Sequence, residues 1–253
     1  MIIASFNVNS VRAHLPSILG WLKTRRPDVL MLQETKCEEQ AFPRLEFEDM
    51  GYNVAVKGQK SYNGVAILST APLEDVNGTF EGAGDQARYI DAFTHGVRAV
   101  CAYAPHGNPI GTDKFDYKLE WLRRFKERTR EMAGYDEPLV IGGDFNVVRR
   151  DDMIYDAAAF ADDAIMQPES REAFEALLSD GLVEACDALG VRSPYTYYSY
   201  RYRGGIDKDK GIVLDYFLLN PAAAGRLKRL GADRDAREAE RASDHLPVWV
   251  ELG

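Results

Sequence analysis

Long apolar runs are missing from this chain of 253 residues, and none approaches the length that spans a bilayer. Cysteine is scarce. Cys37, Cys101 and Cys186 lie far apart without CxxC spacing, which excludes a disulfide framework and a cysteine zinc site. The odd count leaves at least one thiol free, so a reducing compartment and small buried or partly exposed side chains are expected. Positive charge is in deficit. The 31 Lys and Arg stand against 40 Asp and Glu, and the net charge of −9 counts against a nucleic acid held by overall attraction. Internal repeats and Gly-, Ser- or Pro-rich linkers are also missing, so one domain over residues 1–253 is expected. No basic stretch and apolar core of a leader follow Met1, which runs straight into a strand pattern, and a cytoplasmic protein is expected.

What is present is an ordinary globular composition, 45% hydrophobic and 28% charged, in a chain long enough to bury a substantial core. The charge is uneven. Acid concentrates at Glu46–Asp49 and between Asp151 and Asp163, while Arg201, Arg203, Lys208 and Lys210 crowd one loop. Charges beyond roughly 8–10 Å are largely screened at ordinary ionic strength, so a local basic face can still hold a phosphate backbone.

Strand-like runs recur at Ile2–Phe6, Val29–Gln33, Asn53–Val56, Val65–Leu68, Tyr89–Phe93, Val97–Tyr103, Leu139–Ile141, Leu214–Leu219 and Val248–Leu252. Between them Leu15, Ile18, Leu19 and Leu22 follow helical spacing ahead of Pro27, and Phe115, Leu119, Leu122 and Phe125 do the same ahead of Gly134. A third helix carries Phe174, Leu177 and Leu178 and closes near Gly181. Strands outnumber what a bundle admits, and they mix with helices without strict alternation, which points to an α/β layered sandwich. The polar, alanine-rich stretch from Asp151 to Ala164 reads as a loop with helical pieces.

Short polar motifs sit at or near the ends of these runs: FNVN from Phe6, QETK from Gln33, GDFN from Gly143, LDY from Leu214 and SDHLP from Ser243. A lone Glu34 would be a solvated strand end, but Asn7 ends another buried-type strand, and a carboxylate with a carboxamide oxygen suits a hard cation. The GDFN turn has ordinary turn composition. Yet Asp144 is suited to orient or deprotonate a water, and the Asn146 amide to donate to a developing phosphorane oxygen. His245 lies between an Asp and a Leu-Pro opening the last strand, and with Asp215 it makes an Asp–His pair able to hold a proton or contact phosphate. A capping Asp beside an incidental His is the plainer alternative. His14, His95 and His106 read as surface or packing residues. The YTYYSY run from Tyr195 reads equally as a strand or as a stacking platform beside the basic loop. Together these residues are the equipment of metal-assisted phosphodiester cleavage.

The ordered series FNVNSVRA, LQETKC, YNGVAIL, AYAPHG, GGDFN, YTYYSYR, LDYFLL and SDHLPVW resembles the exonuclease III class of apurinic/apyrimidinic endonucleases, within the endonuclease/exonuclease/phosphatase superfamily. The match runs from Phe6 to Trp249. The resemblance implies a four-layer α/β sandwich, two packed mixed β-sheets flanked by helices. It implies dependence on one or two Mg²⁺ ions, with Mn²⁺ as a substitute. Glu34 would be the principal metal ligand, with Asn7 and Asp244 near it and Asp144, Asn146 and His245 completing the metal neighbourhood. Asp144 would position or deprotonate the attacking water, Asn146 would stabilise the transition state, and Tyr103 and His245, the latter oriented by Asp215, would contact the scissile phosphate. Asn9, Arg12, Lys36, Asn63, His106 and Arg201 would fall on the DNA-facing side. Tyr197, Ile212 and Leu214 match the pocket for an extruded abasic sugar, with Ile212 and Leu214 on one face of a strand and Asp215 on the other.

The implied activity is hydrolysis 5′ to abasic sites in duplex DNA, with 3′-5′ exonuclease activity and cleaning of blocked 3′ ends, by a monomer that is nucleoid-associated in a bacterium and has no membrane partner. His106 replaces an expected Asn or Gln, Tyr197-Tyr198 replaces a pair that commonly includes Trp, and the segment between Arg237 and Ser243 is short and of mixed charge. These departures bear on the balance among the activities. The competing readings are a superfamily phosphatase acting on a lipid, sugar or nucleotide phosphate, and a catalytically weak DNA-binding relative. The aromatic-basic stretch counts against the first, and intact Asp144, Asn146 and His245 against the second.

Overall fold

A computed structural model describes residues 1–201 and 205–253. Along the chain run β1 (Ile2–Asn7), α1 (Leu15–Arg25), β2 (Val29–Gln33), α2 (Arg44–Glu48), β3 (Asn53–Lys57), β4 (Val65–Ser69), β5 (Glu74–Asn77), β6 (Tyr89–Thr94) and β7 (Val97–Tyr103). There follow α3 (Asp113–Ala133), β8 (Leu139–Asp144), α4 (Pro168–Leu178), β9 (Val183–Glu184), α5 (Ala185–Leu189), β10 (Asp215–Leu219), α6 (Pro221–Ala224), β11 (Leu227–Ala232) and β12 (Val248–Leu252). They build two six-stranded mixed sheets, ordered β11-β12-β1-β2-β4-β3 and β5-β6-β7-β8-β10-β9.

Each sheet holds one parallel pair among antiparallel neighbours, β1 with β2 and β7 with β8. Their buried runs are nearly continuous in apolar residues, because these strands are covered on both faces. Between the sheets lie Ile3, Met31, Val65 and Ile67 against Ile90, Cys101, Val140 and Phe217. Outside the first sheet Ile18, Trp21 and Leu22 of α1 meet Phe6, Leu30 and Leu32. Outside the second, Trp121, Leu122 and Phe125 of α3 and Phe174 of α4 meet Val100, Leu139 and Ile141. The result is helix, sheet, sheet, helix, the four-layer α/β sandwich expected.

Several expectations change. The YTYYSY run is not a strand: Tyr197 makes only single bridge pairings, with Ile212 and with His245. Ile212 and Leu214 lie ahead of β10, which starts at Asp215. Strands β5, β9 and β11 were not foreseen. The first is exposed along most of its length, the second is two residues long, and the third interrupts its apolar residues with Lys228 and Arg229. All three cysteines are free and buried. Arg203 falls outside the described residues. No helix among the described residues is long and apolar enough to cross a membrane.

Candidate active site

Parallel strands point their carboxyl ends the same way, and face-to-face packing brings both parallel pairs to one rim. That rim collects Asn7 from β1, Glu34 just past β2, Tyr103 from β7 and Asp144 from β8. The antiparallel β10 begins there, with Asp215 in register with Asp144. The segment before β12 delivers Asp244 and His245. Two glycines ahead of Asp144 serve close packing. A Cβ on Gly143 would stand 1.9 Å from the Ala102 carbonyl oxygen of β7, so only glycine lets the two strands approach there. Beyond the strands Asn9, Glu34, Lys36 and Asn146 adopt left-handed backbone conformations. Strain of this kind concentrates where turns aim side chains at a common point.

Asn7 is fully buried between two carboxylates, its Nδ2 donating to Glu34 Oε1 and to Asp144 Oδ2, each at 2.9 Å. Its Oδ1 accepts from the Asn9 N–H at 3.1 Å. Asn7 therefore spaces the two carboxylates as a donor. Lys36 Nζ lies 2.7 Å from Glu34 Oε2 and also bonds Asn9 Oδ1, while Asn9 Nδ2 donates to Asp244 Oδ1 at 3.0 Å. Burial alone would raise the Glu34 carboxyl, but Lys36, the Asn7 amide and His245 outweigh it and hold Glu34 below its ordinary value. The Tyr103 hydroxyl is driven far above its ordinary range by burial and by Glu34, so it stays a proton donor.

His245 Nδ1 bonds Asp215 Oδ2 at 2.8 Å, and its Nε2 lies 3.7 Å from Asp144 Oδ2. Burial opposes the imidazolium, but Asp215 and Asp144 more than compensate and push the ring up to about 10. For Asp144, burial together with the Asp215 and Glu34 carboxylates raises its pKa against the pull of His245. Its Oδ1 accepts the Asn146 N–H at 2.9 Å, and Asn146 Nδ2 donates to the Ala104 carbonyl at 3.0 Å.

Above this floor opens a cavity of about 620 Å³. Glu34, Tyr103, Asp144, Asn146, Asp244 and His245 line it, as do Asn9, His106, Arg201, Tyr197, Ile212 and Leu214. Asn7 and Asp215 stand behind it, and Lys36 beside it. Besides Lys36, two DNA-side expectations do not line the cavity. Arg12 is exposed away from its lining, and the Asn63 side chain turns inward to Gln59 Oε1 at 2.9 Å and Gln86 Oε1 at 3.3 Å. The Tyr197 ring sits 4.9 Å from the His245 ring, locked by reciprocal backbone bonds with Ile212 at 2.9 and 3.0 Å. Behind it the Thr196 hydroxyl accepts from the Leu214 and Asp215 N–H groups at 3.0 and 3.2 Å.

Sequence reasoning missed the far wall, where Tyr155, Phe160, Asp163 and Ile165 line the cavity beside Lys210 of the basic loop. Its signal was a pair of aromatics in a polar stretch; the Tyr155 and Phe160 rings meet edge to face at 5.8 Å. Among the described residues no three His, Cys, Asp or Glu side chains converge into a ready metal cage. A Mg²⁺-like ion needs only one or two carboxylates because it keeps several waters, and an ionised, cavity-lining Glu34 fits that demand.

The chain matches the model of the Endonuclease/Exonuclease/phosphatase family over residues 4–245. It is 31% identical to DNA repair nuclease APEX1 of Danio rerio over 262 residues, covering 100% of this chain and 82% of that protein. Among solved structures it resembles an AP endonuclease from Archaeoglobus fulgidus, at TM-score 0.95 and 34% identity over 100% of this chain and 99% of that one. It also resembles the 3′ phosphatase NExo from Neisseria bound to product DNA hairpin, at TM-score 0.94, 34% identity and the same coverage. On sequence and fold together, the chain belongs to the Endonuclease/Exonuclease/phosphatase family.

Proposed function

We propose that this chain is a metal-dependent DNA repair nuclease that hydrolyses the phosphodiester 5′ to abasic sites in duplex DNA and also processes 3′ ends as exonuclease and phosphatase. The observation that carries this reading is one cavity with a charged floor and an apolar wall. Asp144, Asn146, Tyr103 and the His245–Asp215 pair form the floor, and Tyr197, Ile212 and Leu214 form the wall.

Asp144, made more basic by burial, takes a proton from the attacking water while the Asn146 N–H steadies its other oxygen. His245, held as imidazolium by Asp215, and the Tyr103 hydroxyl donate to non-bridging oxygens of the scissile phosphate. Asn146 has one amide hydrogen on the Ala104 carbonyl, and the second, without a partner among the described residues, would donate to the developing charge. Glu34, with Asp244 across the cavity, would hold a divalent cation, Mg²⁺ or Mn²⁺, which when bound supplies charge neutralisation at the phosphate and leaving oxygen. With Nδ1 tied to Asp215, His245 keeps Nε2 toward the cavity and is assigned to phosphate.

The wall suits a sugar without a base. Tyr197 and the buried Ile212 and Leu214 offer an apolar face to a deoxyribose whose extrusion breaks no base pair. Arg201, Lys210 and Lys36 would meet the backbone at the mouth. The whole chain acts as one domain, as a monomer, in the cytoplasm and on the nucleoid if the source is a bacterium. The test is cleavage of a duplex with one abasic analogue, in Mg²⁺ or EDTA, beside a blunt duplex with a 3′-phosphate. Mg²⁺-dependent incision 5′ to the lesion is expected. An intact abasic duplex alongside rapid hydrolysis of a nucleotide monophosphate would mean a non-DNA phosphatase instead.

A further inference from the structure

Lysine has little place in the buried face of a helix, yet Lys118 of α3 is fully buried, in line with Phe115, Trp121 and Leu122. Its ammonium donates to three backbone carbonyls: His106 at 3.0 Å, Asn146 at 2.5 Å and Ala164 at 3.5 Å. An ammonium has three donors and no acceptor, so three carbonyls saturate it. Those carbonyls come from the loop after β7 and from the two ends of the long connection between β8 and α4. All three stretches line the cavity, through His106, Asn146 and Ile165 respectively. The Lys118 stem passes Gly107, where a Cβ would stand 2.7 Å from Lys118 Cδ.

We propose that Lys118 is a positioning residue that clamps the Asn146 turn and the two neighbouring stretches into their catalytic geometry. Asn146 is left-handed, its N–H held by Asp144 and its side chain by Ala104. Its carbonyl is a further anchor of the turn, beside the Phe145 and Val148 N–H groups held by Leu214 and Ile165, and Lys118 holds it. Releasing that carbonyl lets the turn rotate, which draws the Asn146 N–H off Asp144 and the side-chain amide off the phosphate. Ala164 keeps a second donor in the Ser170 hydroxyl at 2.7 Å, so the clamp matters most at Asn146 and His106.

The role rests on the proposed nuclease reading, so the test pairs a reaction with a readout independent of it. Lys118→Met and Lys118→Arg would be compared with wild type in single-turnover incision of an abasic duplex with Mg²⁺, in DNA affinity in EDTA, and in hydrogen exchange. A misplacement on the order of 1 Å costs about 100-fold in rate, so Lys118→Met should lose about 10- to 100-fold per folded molecule with little change in DNA affinity. Lys118→Arg, which restores donors and charge, should recover much of that. Hydrogen exchange should rise selectively in residues 104–108 and 144–148. If Lys118→Met does not fold, Lys118→Gln carries the same expectations. Wild-type rates in folded Lys118→Met or Lys118→Gln, or an Arg variant as slow as Met, would overturn the clamp. So would exchange that rises evenly over the whole chain. A wild-type protein inert on the abasic duplex would fail the nuclease reading alone, and the exchange pattern would still decide the clamp.

Discussion

Replacing Asp215 by Asn changes one charge and almost no volume at a position with 4% exposure. Asp215 Oδ2 holds His245 Nδ1 at 2.8 Å, and Oδ1 has no partner among the described residues. An opposite charge at this range is worth roughly 1–3 pKa units, so the ring should fall from about 10 by that amount in Asp215→Asn. At about 1.4 kcal/mol per unit this corresponds to roughly 1.4–4 kcal/mol. The sign follows from linkage. A folded-state value above the ordinary 6.5 stabilises fully below that pH, and the stabilisation fades as pH rises through about 10. The variant should therefore be less stable than wild type near neutrality. The gap should close toward pH 10, where wild type retains a buried, half-partnered carboxylate. Histidine NMR titration would assign the ring by comparison with His245→Ala, and single-turnover rates against pH would show the alkaline limb moving down. A His245 midpoint within about 0.5 unit of wild type would refute the assignment of Asp215 as its charge partner.

Other perturbations separate chemistry from scaffold. Glu34→Gln should abolish stabilisation of the fold by Mg²⁺ and lower turnover by orders of magnitude; undiminished cleavage by this variant in EDTA would remove the metal from the site. Gly143→Ala drives a methyl into the Ala102 carbonyl and should cost about 1–3 kcal/mol or more, with activity falling further than stability because Asp144 is next in the strand; a melting temperature equal to wild type would contradict the close approach. Ile212→Ala or Leu214→Ser should lower the preference for abasic over intact duplex; an unchanged preference with reduced stability would mark both residues as packing only.

The strand ends were legible because buried parallel strands are apolar on both faces, so a polar residue at the end of one stands out. Asn7, Glu34 and Asp144 were readable in this way, and His245 from its place between Asp244 and the Leu-Pro ahead of the antiparallel β12. Elements whose burial comes from neighbours far along the chain were not. Strand β5 is exposed apart from Asn77, and β11 owes its place to β12. Tyrosines 195 to 200 have strand composition, but their backbone groups go to two different segments, Ile212 on one side and Asp244 to Leu246 on the other. Lys118 was hidden for the opposite reason. In sequence it reads as one more charged residue on an amphipathic helix, and only the meeting of the loop after β7 with both ends of the β8–α4 connection gives it three carbonyls.

The polar groups of the rim also bear on the role of a cation. Glu34, Asp144, Asp215 and Asp244 bring four carboxylates to the rim, against the two cations Lys36 and His245. The excess is two negative charges, and burial makes it felt most at Asp144, whose pKa rises. Contacts within the rim offset part of it. Lys36 lies on Glu34, the Asn7 amide bridges Glu34 and Asp144, and His245 stays charged. On the proposed reading, a divalent cation held by Glu34 would match the excess and favour ionised Asp144, and Lys36 would then be available to a DNA phosphate. The same imbalance weakens binding of an undamaged backbone. On the proposed reading, the floor would repel phosphate until metal and imidazolium are both in place, which would favour a substrate whose sugar also enters the apolar wall of Tyr197, Ile212 and Leu214.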